Sequence, residues 1–523
     1  MSLYLTKSIN ISLDNKNPIA KICKATGLKP NEVKSFALHK QSVDARNKND
    51  LHFVCSFVVE SDKTPKNATP YTYPVNAFQT EKPQITANCI VVGSGPAGLF
   101  SALYLAQSGA NVTVIERGSD VDARKQAIDD FFNGGQFNPN TNVQFGLGGA
   151  GTFSDGKLTT GISSPFTYSV FQEFVANGAP KNILYDALPH VGTDKLQTVV
   201  ANLRDKITSL GGKFLFDTTV CDFVLDDDVV KGVITTDGKE LLADAVILAV
   251  GHSARDMFHT LVKHNATMQF KPFAVGLRIE HKREFINNAQ YGNIYATHRD
   301  FPAASYKLAH QVTPTHSCYS FCMCPGGMVV AANSQFDTVV VNGMSYYARD
   351  MANSNSALVV NVTKDDVLAY GFGDGPLSGM HFQQHLESLA YKMGGGNYLA
   401  PCQNVTDFVA NKPSTALQIA PSYPRGTTLA NLRDLLPQQI GNVLADALVH
   451  FDKKIAGFGS SGVLTGIESR TSSPVKIVRD DTMQSNLKNL YPTGEGAGYA
   501  GGIVSSAVDG IRVAQKIAQR FSK

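Results

Sequence analysis

The chain has 523 residues, 43% of them apolar, with 47 basic against 44 acidic side chains and a net charge of +3. That length and apolar content suit two or three domains around a large core and exclude a disordered or fibrous protein. The balanced charge leaves no general field for nucleic acid or an anionic membrane, and no apolar run approaches the roughly 18 residues of a membrane span, so the expected partner is a small-molecule substrate.

Taken from the N-terminus, the alternating SINISL, the amphipathic AKICKATGL and the β-rich LHFVCSFVVE predict a small α/β unit. The opening MSLYLTKSINISLDNK lacks the apolar stretch of a secretory signal, which predicts a cytoplasmic protein. A polar, proline-bearing stretch, SDKTPKNATPYTYPVNAFQTEKPQ, reads as a linker or crossing segment and places a boundary near residue 82. Strand and helix then alternate: ITANCIVVG is an apolar strand, PAGLFSALYLAQSG a helix ending at Gly109, and NVTVIERG a second strand. Within the helix, Leu99, Leu103 and Ala106 recur at three- and four-residue spacing and give it one face to pack on a sheet. Further on, KFLFDTTVCDFVLDDDVVKGVITTDGKELLADAVILAVG reads as strands with a hairpin at Asp237-Gly238, ending in a buried parallel strand. From about 276 to 450 the pattern is mixed, and individual elements are not legible.

The turn GSGPAG lies between the first strand and its helix. Gly93 permits the tight turn, Gly95 lets the backbone approach a pyrophosphate and Gly98 lets the helix pack close to the strand, while Ser94, Pro96 and Ala97 complete the loop at the helix's positive end. Glu116, followed by Arg117, ends the next strand at the spacing where a carboxylate accepts ribose hydroxyls and repels a 2′-phosphate. This pattern predicts FAD or NAD rather than NADP.

Two more glycine clusters choose FAD. In FGLGGAGTFSDGKLTTG, Gly148, Gly149 and Gly151 let backbone run against a flat ring, with Ser154, Asp155 and Lys157 as polar contacts and Ala150, Thr152 and Leu158 within the same cofactor-binding run. In LYPTGEGAGYAGGIVSSAVDGIRVAQKIAQ, Gly494, Glu495 and Gly496 follow an apolar strand end, and Gly501 and Gly502 open the last helix. NAD proteins need no such C-terminal element, whereas FAD proteins of the glutathione-reductase superfamily do, because the extended cofactor reaches a second strand-turn-helix. Glu495 is then expected at the ribityl and phosphate region, and the helix start at Gly502 and Ile503 at the pyrimidine edge, where negative charge grows on reduction.

A second match to the fingerprint, Gly457, Gly459 and Gly462 in AGFGSSG, lacks a buried strand before it and a helix after it, so no separate NAD(P)H domain is expected. GIESRTSSP, with Glu468, Arg470 and Ser472, reads equally as a pocket wall or a surface loop of paired charges. The eight cysteines make no disulfide framework and contain no C-x-x-C pair. Cys318, Cys322 and Cys324 invite a metal or redox reading, but a C-x-C pair is awkward for a disulfide and His310 and His316 complete no familiar zinc spacing, so they read as structural cysteines of an alternating strand and no metal site is expected. His252, Arg278, Lys307 and Arg349 read as structural or flavin-orienting groups, and no catalytic acid or base is assigned.

On the strings HKQSVDARNK, VVGSGPAGLFSALYLAQSGANVTVIERG, FGLGGAGTFSDGKLTTG, PHVGTDKL, VILAVGHSARDMF, YSFCMCPGG, VNGMSYYARDMANSNSALVV, GIESRTSSPVKIVRD and LYPTGEGAGYAGGIVSSAVDGI, the chain resembles the bacterial FAD-dependent dehydrogenases (FAD/NAD(P)-binding oxidoreductases) of the glutathione-reductase-like superfamily. That family has no assigned substrate. The resemblance implies that Gly93, Gly95, Pro96, Ala97, Gly98, Glu116 and Arg117 hold the ADP half. It further implies that Val220 meets the adenine through its backbone, that Gly251, with His252 beside it, closes over the diphosphate, and that Glu495, Gly502 and Ile503 hold the flavin half. No histidine is placed for covalent attachment, so FAD is expected to be non-covalent. The implied architecture is a small N-terminal α/β (ferredoxin-like) domain over 1–82, a Rossmann-like FAD-binding domain with three β/β/α layers over 83–275 and 451–523, and an inserted α+β substrate domain over 276–450. The implied activity is an FAD-dependent oxidoreductase. A flavin-binding RNA-modifying protein would need a basic stripe that the scattered lysines do not form, and a non-catalytic flavin-bound scaffold is the remaining alternative.

Overall fold

The computed structural model describes residues 2–13, 17–298 and 301–522. The first unit is an antiparallel sheet centred on the strand His52–Ser61, which pairs with Ser2–Thr6, Ile9–Ser12 and Ser35–Asp44, while Ala68–Pro70 adds to the outer side of Ser2–Thr6. The helix Ile19–Thr26 covers one face by seating Ile22 among Ile9, Ile11, Cys55 and Phe57. A ferredoxin-like unit needs two helices in a β-α-β-β-α-β order. Here the chain opens with two strands, and SFALHKQSVD is a strand, so the expectation of that arrangement is corrected to a sheet with one α-helix. The proline-bearing segment after it is fastened to the next domain, since Phe78 is buried with its ring 5.8 Å from that of Phe100.

The second domain is built on five parallel strands in the order Leu490–Pro492, Ala245–Leu248, Asn88–Val92, Asn111–Ile115 and Lys213–Leu215. On one face lie the helices Pro96–Gln107, Thr193–Ser209 and Ile503–Phe521. The antiparallel meander Val220–Asp226, Val229–Thr235 and Glu240–Leu242 lies on the other, together with the helix Arg255–Lys263. These are the three β/β/α layers predicted from the sequence. Register matters for function: Leu248 pairs with both Val92 and Pro492, and Val92 with Ile115, so the loops after these strands leave at one level. Ligands of open α/β sheets bind outside the carboxyl ends of the strands.

The helix Pro96–Gln107 departs from the one-faced reading, because Ala97 through Ala106 are all buried. The terminal helix lies against it, placing Val504, Ala507 and Ile511 in the same cluster as Leu99 and Leu103. A helix covered on both sides carries apolar residues all round.

The inserted domain is a seven-stranded sheet in the order Ala309–Gln311, Ser317–Cys324, Asn353–Val362, Phe273–Lys282, Val463–Glu468, Ala400–Asn404 and Thr427–Leu429. It therefore runs past the boundary expected at 450, which falls inside the helix Gln438–Lys454. That helix presses Ile440, Leu444, Leu448 and Phe451 into the core of this sheet, and the strand after it pairs with Phe273–Lys282, so neither can be assigned elsewhere. Among the described residues no helix is long and apolar enough to cross a membrane.

A buried carboxylate joins the two larger domains. Glu387, on the insert's helix Ser378–Met393, receives Arg255 at 2.7 and 2.8 Å and Arg470 at 2.7 and 3.0 Å, with the Ser469 hydroxyl at 2.7 Å. Burial alone would raise this carboxyl, but the two guanidiniums hold it well below the usual carboxylate range. Removing one member of a buried ion pair strands the others as uncompensated charge, at a cost of about 3–5 kcal/mol. Glu387→Ala is thus expected to lower the denaturant midpoint sharply, whereas Asp129→Ala, which breaks the exposed pair with Lys125, leaves it nearly unchanged. Equal midpoints for the two variants would show that the clamp does not hold the domains together.

Candidate cofactor site

The loops that leave the carboxyl ends of the parallel strands enclose a cavity of about 410 Å³. Its floor is the turn before the helix Pro96–Gln107. Helix and strand approach so closely that a Cβ on Gly98 would stand 1.9 Å from the Gly93 carbonyl oxygen. Gly93, Gly95, Pro96 and Ala97 line the cavity, whereas Ser94 and Gly98 lie behind its wall. The N–H groups of a helix's first turn have no partner within the helix, which suits this end to a pyrophosphate.

Glu116 and Arg117 both line the cavity. The Glu116 carboxylate also ties the loops together: it accepts hydrogen bonds from the Ser94 N–H at 2.8 Å and hydroxyl at 2.7 Å, the Gly118 N–H at 3.0 Å and the Gly146 N–H at 2.9 Å. Arg117 lies over the Phe145 ring at 4.5 Å and grips Asp256 with 2.8 and 2.9 Å contacts. Val220, the first residue of the meander, and Gly251 and His252, after the strand Ala245–Leu248, close the same end.

At the other end, Gly149, Ala150, Gly151, Ser154 and Lys157 line the cavity, and Thr152 and Leu158 point away from it. Gly149 has φ +62°, and a Cβ there would come within 3.0 Å of the Gly95 Cα, so the second glycine segment rests directly on the first. Thr152 bonds the Leu147 carbonyl at 3.3 Å and Leu158 belongs to the core, which corrects their expected cofactor role to support of the loop. Glu495, Gly502 and Ile503 complete this end. The rim is therefore largely backbone or small side chains, a shape that admits an extended dinucleotide and a flat ring, and the residues present fit FAD.

Charge in the site is specific. Asp155 accepts from Arg349 at 2.5 and 3.1 Å and from Lys157 at 3.1 Å. Although burial opposes it, Lys157 and Arg349 hold the Asp155 carboxyl well below its usual range. Burial, reinforced by the Arg470 and Arg255 charges, brings His252 down to about 3, so its imidazole is neutral at neutral pH. Its Nε2 lies 3.8 Å from Glu495, whose carboxyl is pushed up to about 7, first by withdrawal from water.

The insert supplies residues that sequence reasoning did not place: Phe321, Asn342 and Thr471 line the cavity, and so do Cys322 and Arg470, which had been read as structural and as ambiguous. Gln144, Phe145 and Met257 were missed as well. Gln144 and Phe145 open the second glycine segment and were passed over for its glycines, whereas no local signal marks the insert residues and Met257, which reach the cavity through packing over long sequence separations. Lys307 is not part of the cavity wall, while Arg278 and Arg349 act behind it on Cys322 and Asp155.

Parallel sheet, glycine turn and backbone-rimmed cavity define a nucleotide-binding flavoprotein. Residues 91–139 match the NAD(P)-binding Rossmann-like domain, and residues 272–471 match the family described as FAD-dependent protein, C-terminal domain-like. The chain's cofactor is FAD. Residues 3–60 match a domain of unknown function. A protein of Clostridium beijerinckii, described as uncharacterized, is 44% identical over 529 residues, covering 98% of this chain and 98% of its own, and the chain belongs to the same family. Among solved structures, the flavin-dependent brominase Bmp2 is similar over 83% of this chain and 79% of its own at 14% identity and a TM-score of 0.37. A mutant E. coli quinol fumarate reductase is similar over 84% of this chain and 71% of its own at 12% identity and a TM-score of 0.34.

The raised Glu495 carboxyl has a pH consequence. In the folded chain it keeps its proton to about 7, whereas unfolded it releases it near the ordinary 4.5, so its contribution to stability falls as pH rises between these values. Unfolding of the flavin-free protein should show Glu495→Gln gaining on the wild type from about pH 4.5 to about pH 7, with a constant difference above. A pH-independent difference would show that the carboxyl is not raised.

Proposed function

We propose that the chain is an FAD-dependent oxidoreductase that passes two electrons between non-covalent FAD and a small organic substrate. The observation that carries this reading is the two-sided cavity: one wall is glycine-rich backbone suited to a cofactor, and the facing wall is made of insert side chains, Phe321, Cys322 and Asn342, suited to a second molecule. FAD, when bound, supplies the two-electron chemistry, while the protein supplies binding, orientation and charge.

Gly93, Gly95, Pro96, Ala97, Glu116, Arg117, Val220 and Gly251 are assigned to the ADP half, and Gly149, Gly151, Ser154, Lys157, Glu495, Gly502 and Ile503 to the flavin half. Lys157, fixed by Asp155 at 3.1 Å, presents a positive charge at the flavin end. Glu495, with a pKa near 7, is the group able to hold or release a proton there at neutral pH. Neutral His252 contributes shape and a hydrogen bond with the Ser253 hydroxyl at 2.9 Å rather than charge. Gly457, Gly459 and Gly462 lie in the loop between the helix Gln438–Lys454 and the strand Val463–Glu468, packed against Phe285, Asp452 and His281, so no strand-turn-helix forms there for a nicotinamide nucleotide.

The purified protein is expected to be yellow and to release its flavin on denaturation. A Cβ at Gly95 would meet only the Gly149 Cα, at 4.0 Å, so the fold accepts a side chain there, but the methyl groups of Gly95→Val project into the cavity. Overpacking of about 1–3 kcal/mol corresponds to FAD binding weaker by roughly 5- to 150-fold. Unchanged flavin content in a folded Gly95→Val protein would overturn the placement of the diphosphate. Reduction by NADH or NADPH in stopped flow should be slow and non-saturating, and fast saturable reduction would reveal a nicotinamide site.

A further inference from the structure

The strand Ser317–Cys324 begins regularly, with Cys318 fully buried opposite Val360. Its register then breaks between Phe321 and Cys324, and Cys322 adopts φ +45°, the left-handed region that costs a non-glycine residue energy. The bulge turns Cys322 onto the cavity wall beside Phe321. It also brings its sulfur to the same ammonium group as that of Cys324: Lys157 Nζ lies 4.0 Å from Cys322 Sγ and 3.6 Å from Cys324 Sγ. Cys324 also donates to the Cys322 carbonyl at 3.3 Å.

The two sulfurs have opposite surroundings. The neighbouring Cys324 thiol, then the Lys157 and Arg278 charges, pull the Cys322 thiol well below the ordinary thiol range against the effect of burial. Cys324 is raised by the neighbouring Cys322 and by burial. Lys157 and Asp155 face the pair from the loop after Gly151, Arg278 from the strand Phe273–Lys282, Glu468 from the strand Val463–Glu468 and Glu495 from the C-terminal loop. Arg278 is held by Glu468 at 3.0 and 3.2 Å and donates to the Cys322 carbonyl at 3.0 Å. A cavity-facing thiolate beside a buried thiol is the arrangement that thiol–disulfide exchange uses.

We propose that Cys322 and Cys324 form a redox-active dithiol on the cavity wall, with Cys322 as the attacking thiolate, Cys324 as the resolving thiol and a small organic disulfide as the oxidant. The Cys322 thiolate attacks one sulfur of the disulfide, a Cys322 mixed disulfide forms and the other half leaves as a thiolate. Cys324 sulfur then attacks Cys322 Sγ, closing the Cys322–Cys324 bond. The second half leaves with the proton that Cys324 gives up. Protein thiols are oxidised by two electrons, and the organic disulfide is reduced to two thiols. This step uses no flavin electrons, and it stands or falls independently of the oxidoreductase reading above.

The test uses the FAD-loaded protein under anaerobic conditions with bis(2-hydroxyethyl) disulfide. Release of both thiol halves and a linked Cys322–Cys324 peptide in mass spectrometry are expected, with Cys324→Ser stopping at the mixed disulfide on Cys322. Alkylation of Cys322 by iodoacetamide should be nearly as fast at pH 6 as at pH 8, whereas a free small-molecule thiol in the same buffers should slow by roughly tenfold per pH unit. Alkylation of Cys322 that slows in step with the free thiol, or exchange without a linked peptide, would overturn the dithiol. The pH comparison needs only the wild-type protein, so a variant that fails to fold does not protect the proposal.

Discussion

The Glu387 carboxylate, held between Arg255 and Arg470, is the contact on which the functional architecture depends. Arg255 belongs to the domain of the parallel sheet and Glu387 to the insert, while Arg470 follows the insert's last strand and itself faces the cavity. Three charges taken out of water are tolerable only because each is paired with and hydrogen-bonded to a charge of opposite sign. The clamp sets the insert's side chains at a fixed height above the glycine loops. The Asp155–Arg349 pair crosses the same boundary at the flavin end.

A second line of charge runs through the flavin end. Arg349 and Lys157 meet at Asp155, Lys157 reaches the two sulfurs, and Arg278 backs Cys322 while paired with Glu468. In a closed, poorly solvated space such contacts are stronger than they would be in water. The same withdrawal from water keeps His252 neutral and Glu495 protonated into the neutral range. A site arranged in this way offers positive charge, a proton-carrying carboxyl and a thiolate within one enclosure.

The glycine turns were legible in the sequence because their physics is local: a tight turn, a helix opening and a close backbone approach each demand a residue type at a fixed offset. The same logic over-extended where a motif was treated as wholly cofactor-facing. Ser94 lies behind the floor, and Thr152 and Leu158 turn into the loop's support and the core. Glu116, read for its reach to a ribose, also proves to be the knot that ties Ser94, Gly118 and Gly146 together. The insert was illegible for the opposite reason. Its central strands are buried on both faces and lack the alternation that marks a half-exposed strand, as the fully buried run from Asn353 to Val360 illustrates.

Sequence alone determined the parallel-sheet layer, the dinucleotide turn and the match between the first glycine segment and the C-terminal one, since each rests on spacing along a short stretch of chain. Tertiary structure alone decided what stands opposite them. A register break in one strand put Cys322 rather than Cys318 on the cavity wall, and strand pairing across nearly 200 residues brought Glu468 to Arg278. Which side chains face a ligand from a sheet depends on register, and a shift of one residue moves every side chain to the other face. That choice is made by packing between distant segments, and no local pattern records it.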